Sequence, residues 1–104
     1  MYRRIIRDWY DERRKKIKSS AYSSDSVDWS QYTTPGESIQ RDPPQTKWLA
    51  EFQAKIPRDR GCDVIHTPQP DNYSHSSLTG NFKAQRTRRH IAKYSKIILE
   101  RTSQ

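Results

Sequence analysis

Cys62, Asp63 and His66 are the residues whose types and spacing come nearest to covalent chemistry. A thiol becomes a nucleophile when a base stands beside it, and along a strand Cys62 and His66 share one face. No oxyanion-stabilising turn and no third orienting side chain accompany them, so the sequence reads as non-enzymatic. As ligands, Cys62, His66, His75 and His90 match no zinc spacing, and neither a metal nor another cofactor is expected. Gly36, Gly61 and Gly80 lie too far apart for a phosphate-cradling loop.

The other chemistry available is electrostatic. Arg86, Arg89, Lys93 and Lys96 are spaced by three, four and three residues, which puts them on one side of a helix. Ala84, Ile91, Tyr94 and Ile98 fall on the opposite side as an apolar seam. Such a row of cations follows a phosphate backbone without reading bases, and equally suits anionic lipid or an acidic protein surface. The spacing therefore predicts a basic amphipathic helix and tail over residues 81–104, with Asn81 as its N-cap.

A second helix is expected over residues 1–18. Tyr2, Ile5, Ile6, Trp9 and Tyr10 recur at i, i+3, i+4, i+7 and i+8, with Arg3, Arg7, Arg14 and Lys18 opposite. Asp11 with Lys15 and Glu12 with Lys16 add acid-before-base pairs one turn apart. Met1, Tyr2 and Arg3 superficially resemble the Leu-Tyr-Arg signature of a family of small helical mitochondrial accessory proteins, but the first position differs and nothing is carried over from that family.

Between the two basic ends the chain reads as three segments. Residues 19–45 form a Ser/Pro-containing extended arm in which Tyr22, Val27, Trp29 and Tyr32 sit at spacings that a solvated linker does not require. Residues 46–56 form a short helix with Trp48, Leu49, Phe52 and Ile56 on its apolar face, stopped by Pro57. Residues 57–80 form an irregular arm, in which Cys62 to His66 makes a short strand-like stretch.

Composition sets the class. The net charge is +8 over 104 residues. It is concentrated at the two ends, while the middle carries more acids than bases. Leu, Ile, Val and Phe number sixteen, too few to offset chain entropy in a conventional core. The expected fold is therefore mainly α with long irregular extended segments, two or three short helices and little independent core: a non-compact subunit of a large assembly. Trp9, Trp29, Trp48, Phe52, Ile91, Tyr94 and Ile98 are its expected docking anchors on neighbouring subunits.

Basic ends flanking an aromatic middle point to a non-catalytic ribosomal protein. In that reading Arg3, Arg7, Arg14, Lys18, Arg86, Arg89, Lys93 and Lys96 contact rRNA. The Arg-rich amphipathic start places the expected host in the mitochondrion, on the matrix side. The alternative is an accessory subunit of a mitochondrial membrane complex, of the respiratory chain or ATP synthase, stabilising its neighbours. No apolar run exceeds three residues and no secretory signal is visible, so neither a transmembrane segment nor secretion is expected.

Overall fold

The first residues lie in the middle of a sheet. Tyr2–Ile5 form strand β1 in the computed structural model, which describes residues 1–41 and 43–102. β1 pairs antiparallel with β4 (Ser26–Asp28) on one side and β5 (Trp48–Glu51) on the other, from Tyr2 opposite Glu51 to Ile5 opposite Trp48. β7 (His75–Leu78) and β6 (Val64–His66) extend the sheet beyond β4, and β8 (Lys96–Glu100) closes the far edge beside β5. The result is one six-stranded antiparallel sheet in the order β6-β7-β4-β1-β5-β8.

Alternation along the central strands explains why these residues choose a sheet. Met1 and Ile5 join Val27, Trp48, Ala50 and Phe52 on one face, beneath helix α3 (Gln85–Lys93), which contributes Ile91 and Ala92. Tyr2 and Leu49 point to the other face, where Ile39 of helix α1 (Pro35–Ile39) covers them and Ile98 and Leu99 of β8 pack alongside. A strand buried on both sides has apolar residues at spacings that also satisfy a helical pattern over one or two turns. That ambiguity misplaces the helix expected over residues 1–18. After β1 these residues form a 3-10 turn (Arg7–Trp9) and a hairpin of β2 (Tyr10–Asp11) and β3 (Lys16–Ile17). At the hairpin tip the Arg14 N–H donates to Asp11 Oδ1 at 3.1 Å, and Lys15 takes the left-handed conformation at φ 55°.

The mainly α, non-compact expectation is thus overturned. The short helix expected over residues 46–56 is β5 followed by the four-residue helix α2 (Lys55–Arg58). The terminal helix stops at Lys93, and the β-branched run Ile97, Ile98 continues as β8. Its N-cap is Ala84 rather than Asn81. The arm over residues 19–45 contains β4 and α1, and the arm over residues 57–80 contains β6 and β7. The strand-like stretch before His66 is β6. A Cα radius of gyration of 12.7 Å is that of a folded domain, about 13 Å for 100 residues against about 30 Å unfolded.

Ile5, Val27, Ile39, Leu49 and Ile91 are fully buried or nearly so, and buried aromatics add to this small aliphatic core. Tyr22 is fully buried, and Tyr2, Trp48, Phe52 and Phe82 are nearly so. Each removes about 150–250 Å² from water, well above an aliphatic side chain. Buried polar groups fill the remaining space with satisfied bonds: Asp28, Ser38, Ser74 and Ser76 are all at most 1 % exposed. Among the described residues, no helix is long and apolar enough to cross a membrane.

Candidate functional site

The fold places the basic hairpin against the basic helix. Lys15 and Lys16 come from the tip and second strand of the β2–β3 hairpin. Arg89 and Lys93 come from α3, and Lys96 opens β8. Together they line a groove of about 820 Å³ with Tyr10, Ile17, Ala92 and Ile97 and with Ser19, Gln85 and Ser95. None of the lining residues is acidic. Five cations thus share a concave surface with no carboxylate among them, and their mutual repulsion makes the groove a ready receptor for a polyanion.

Local structure holds both walls. On one side Tyr10 packs edge-on to Trp48 at 4.9 Å between ring centroids, which ties the hairpin to the sheet. On the other, Ile91 is fully buried, so the helix face bearing Arg89 and Lys93 is turned outward. At the helix end Ser95 Oγ donates to Ile91 O at 2.7 Å and lies 2.6 Å from the Tyr22 hydroxyl. Burial pushes the Tyr22 phenol up to about 12, so it stays neutral in this junction. Gln85 Nε2 donates to Ser19 Oγ at 3.2 Å and bridges helix to turn at one side of the groove.

The other cations expected to touch RNA are scattered. Arg3 is buried: its guanidinium donates to Ala21 O, Ser26 O and Ser24 Oγ, and stacks over Trp9 at 5.0 Å. It is a structural residue, and its removal from the contact set is a correction. Arg7 lines a different recess with Lys47 and Arg101. Arg14 is exposed beside Asp11. Lys18 and Arg86 are exposed but are not among the groove's lining residues. Lys15 and Lys16 are the groove residues that sequence reasoning missed. The signal was the polar run from Asp11 to Lys16 between Tyr10 and Ile17, which is a hairpin tip between two apolar anchors.

The expected anchors divide in the same way. Trp48, Phe52 and Ile91 fill the protein's own core and present nothing to a partner. Trp9 is half-buried against that core, and Ile98 packs on the α1 side. Tyr94, 52 % exposed, is the one anchor of the seven that is solvent-facing. Trp29 belongs to an edge cluster with Tyr32, His66 and Tyr73, in which Tyr32 stacks on His66 at 4.7 Å.

The residues considered for catalysis are engaged separately. Cys62 is buried, and desolvation raises its thiol above the ordinary range, away from the thiolate a nucleophile needs. Asp63 accepts from Arg58 Nε at 2.7 Å and from the Val64 N–H, which hold its carboxyl below the usual range. His66 lies in the aromatic cluster, His75 bonds Thr67 and Ser26, and desolvation and the neighbouring Arg60 hold His90 below the usual imidazole range. Among the described residues no three His, Cys, Asp or Glu side chains converge on a point that would hold a metal. Comparisons with protein-family models, curated proteins and solved structures return no match to this chain.

Proposed function

We propose that this protein is a non-catalytic RNA-binding subunit of a ribonucleoprotein, and that the groove between the hairpin and α3 receives the phosphate backbone. The observation that carries this reading is the convergence of Lys15 and Lys16 with Arg89, Lys93 and Lys96 in a groove without a carboxylate. A groove lined by both cations and apolar side chains suits a strand, whose phosphates meet the cations while ribose and bases meet the apolar groups. A planar layer of lipid headgroups fits a flat patch better than a groove. This geometry favours RNA over the membrane-complex alternative. The proposal names no compartment, because the amphipathic N-terminal helix that suggested a mitochondrial host is replaced by β1 and a hairpin.

The test is fluorescence anisotropy with a single-stranded oligoribonucleotide of mixed sequence over a range of salt concentrations. If all five cations meet phosphates, log K falls against log salt with a slope of about −3.5. Charge reversal at Arg89 and Lys93 together lowers that slope by about 1.4 or more and leaves the fold intact. Salt-independent binding, or no binding at low salt by a folded protein, would remove RNA from the proposal. Preferential binding to anionic vesicles over RNA would restore the membrane-complex alternative.

A further inference from the structure

Three buried or half-buried arginines border the sheet, and the use of their donors separates them. Arg3 uses all three nitrogens on protein acceptors. Arg4, on the α1 face of β1, directs Nη1 to Asp28 Oδ2 at 2.6 Å, with a longer contact to Ser38 O. Arg41, just after α1, directs Nη1 to the same oxygen at 3.3 Å and to Thr33 Oγ1 at 2.9 Å. For both, Nε and Nη2 donate to no acceptor among the described residues. A guanidinium carries five N–H groups in a rigid fork, so each retains a matched pair of donors.

Both arginines line a pocket of about 340 Å³ on the α1 face, together with Gln40, Gln69, Asp71, Asn72 and His75. The two arginine side chains are only 15 % and 24 % exposed. Asp28 beneath them is already saturated: Oδ2 also accepts from Ser38 Oγ at 2.5 Å, and Oδ1 accepts from Asn72 Nδ2 at 2.8 Å. One buried carboxylate therefore sits under two guanidinium cations, and both arginines are among the residues that line the pocket. Asp71 also lines the pocket; it is exposed, so water screens its charge more than that of the half-buried guanidinium groups. His75 is pinned by Thr67 and Ser26 and keeps the wall rigid.

We infer that this pocket is an oxyanion site, taking phosphate either free or as the terminal group of a phosphomonoester. The open edges of Arg4 and Arg41 grip the oxygens, and the Gln40 and Gln69 amides lie beside them. Two guanidinium forks converging on one pocket match the geometry of phosphate oxygens, which each fork can bind through two parallel N–H donors. The site lies on the α1 face, whereas the RNA groove lies along α3, so the inference is independent of the proposed function. Its occupant contacts none of the five groove cations.

The experiment is an NMR titration of the full chain that follows the arginine Nε–H resonances at constant ionic strength. Sodium phosphate is titrated in one arm and glycerol 3-phosphate in the other. The expected result is saturable movement of the Arg4 and Arg41 signals while Arg3, whose Nε already donates to Ala21 O, stays in place. Arg41→Gln weakens binding about tenfold or more, through loss of charge-assisted bonds. Should that variant fold poorly, Gln40→Ala and Gln69→Ala at the rim give smaller weakening on an intact fold. Tighter binding of glycerol 3-phosphate identifies a phosphomonoester ligand, and equal binding identifies free phosphate. Linear, unsaturable shifts, or movement of Arg3 with the other two, would overturn the site.

Discussion

The groove beside α3 and the network around Asp28 use the same kind of residue in opposite ways. Lys15, Lys16, Arg89, Lys93 and Lys96 line a groove with no carboxylate among its lining residues, so their mutual repulsion is not offset there. Arg4 and Arg41 close on a carboxylate only 1 % exposed, so much of their charge is already committed to the fold. The difference teaches that a cation's role follows from where its partner is. A groove cation can be removed with little effect on folding, whereas removing the buried carboxylate leaves two guanidinium groups without compensation.

The sharpest break in this comparison is Asp28→Ala. Loss of a buried ion-pair partner costs about 3–5 kcal/mol, a large part of the about 5–15 kcal/mol that holds a domain of this size together. Urea denaturation is expected to show a much lower midpoint. A loss below about 1 kcal/mol would place the network with ordinary surface pairs.

Next in size is the double reversal Arg89→Glu and Lys93→Glu. RNA affinity at low salt is expected to fall about 30-fold to 100-fold, while stability stays within about 0.5 kcal/mol. If this variant lost stability on the scale of Asp28→Ala, the two regions would not be distinct in kind.

Tyr22→Phe tests the junction that holds the helix end beside the groove. Loss of the hydroxyl bond to Ser95 costs about 1 kcal/mol at neutral pH. The phenol ordinarily titrates at 10.0 and is held at about 12 by burial, so the folded state favours its protonated form. That contribution is complete below pH 10 and is lost as pH rises through about 12. Wild type should therefore lose stability across this alkaline window more steeply than Tyr22→Phe, as read by denaturation at a series of pH values. Parallel profiles would show that the phenol is not buried in solution.

The smallest expected effect is Arg86→Ala. Arg86 shares α3 with Arg89 but lies outside the groove lining, so RNA affinity should change less than twofold and stability by less than about 0.5 kcal/mol. A loss equal to that of Arg89→Ala would extend the contact surface around the helix.

Legibility varied from element to element. Of the helix expected over residues 81–104, Gln85–Lys93 is helical; of its expected apolar seam Ile91 is buried, whereas Ala84 is the N-cap, Tyr94 is exposed and Ile98 lies in β8. α1 left a signature that went unread. Thr34 caps it by accepting from the Glu37 N–H at 3.2 Å, the spacing of a capping box with Pro35 at the first turn. β1 and β5 were not legible by period alone. Tyr2 and Ile5, like Trp48 and Phe52, sit three or four residues apart, and both faces of the sheet are covered. Lys96, expected on one helical face with Arg86, Arg89 and Lys93, lines the groove from a strand instead, and Arg86 is outside the lining.

The amino-acid sequence by itself determined that this protein is strongly basic at both ends and that α3 is a charged helix with a buried side. Tertiary structure alone decided which cations are committed and which are open. Arg3 bonds residues 18 to 23 positions away, and Arg4 meets an aspartate 24 positions away. The groove joins Lys15 and Lys16 to residues beyond position 84. Those partnerships are made by strand pairing and side-chain burial, both of which depend on residues distant in the chain, and no local spacing encodes them.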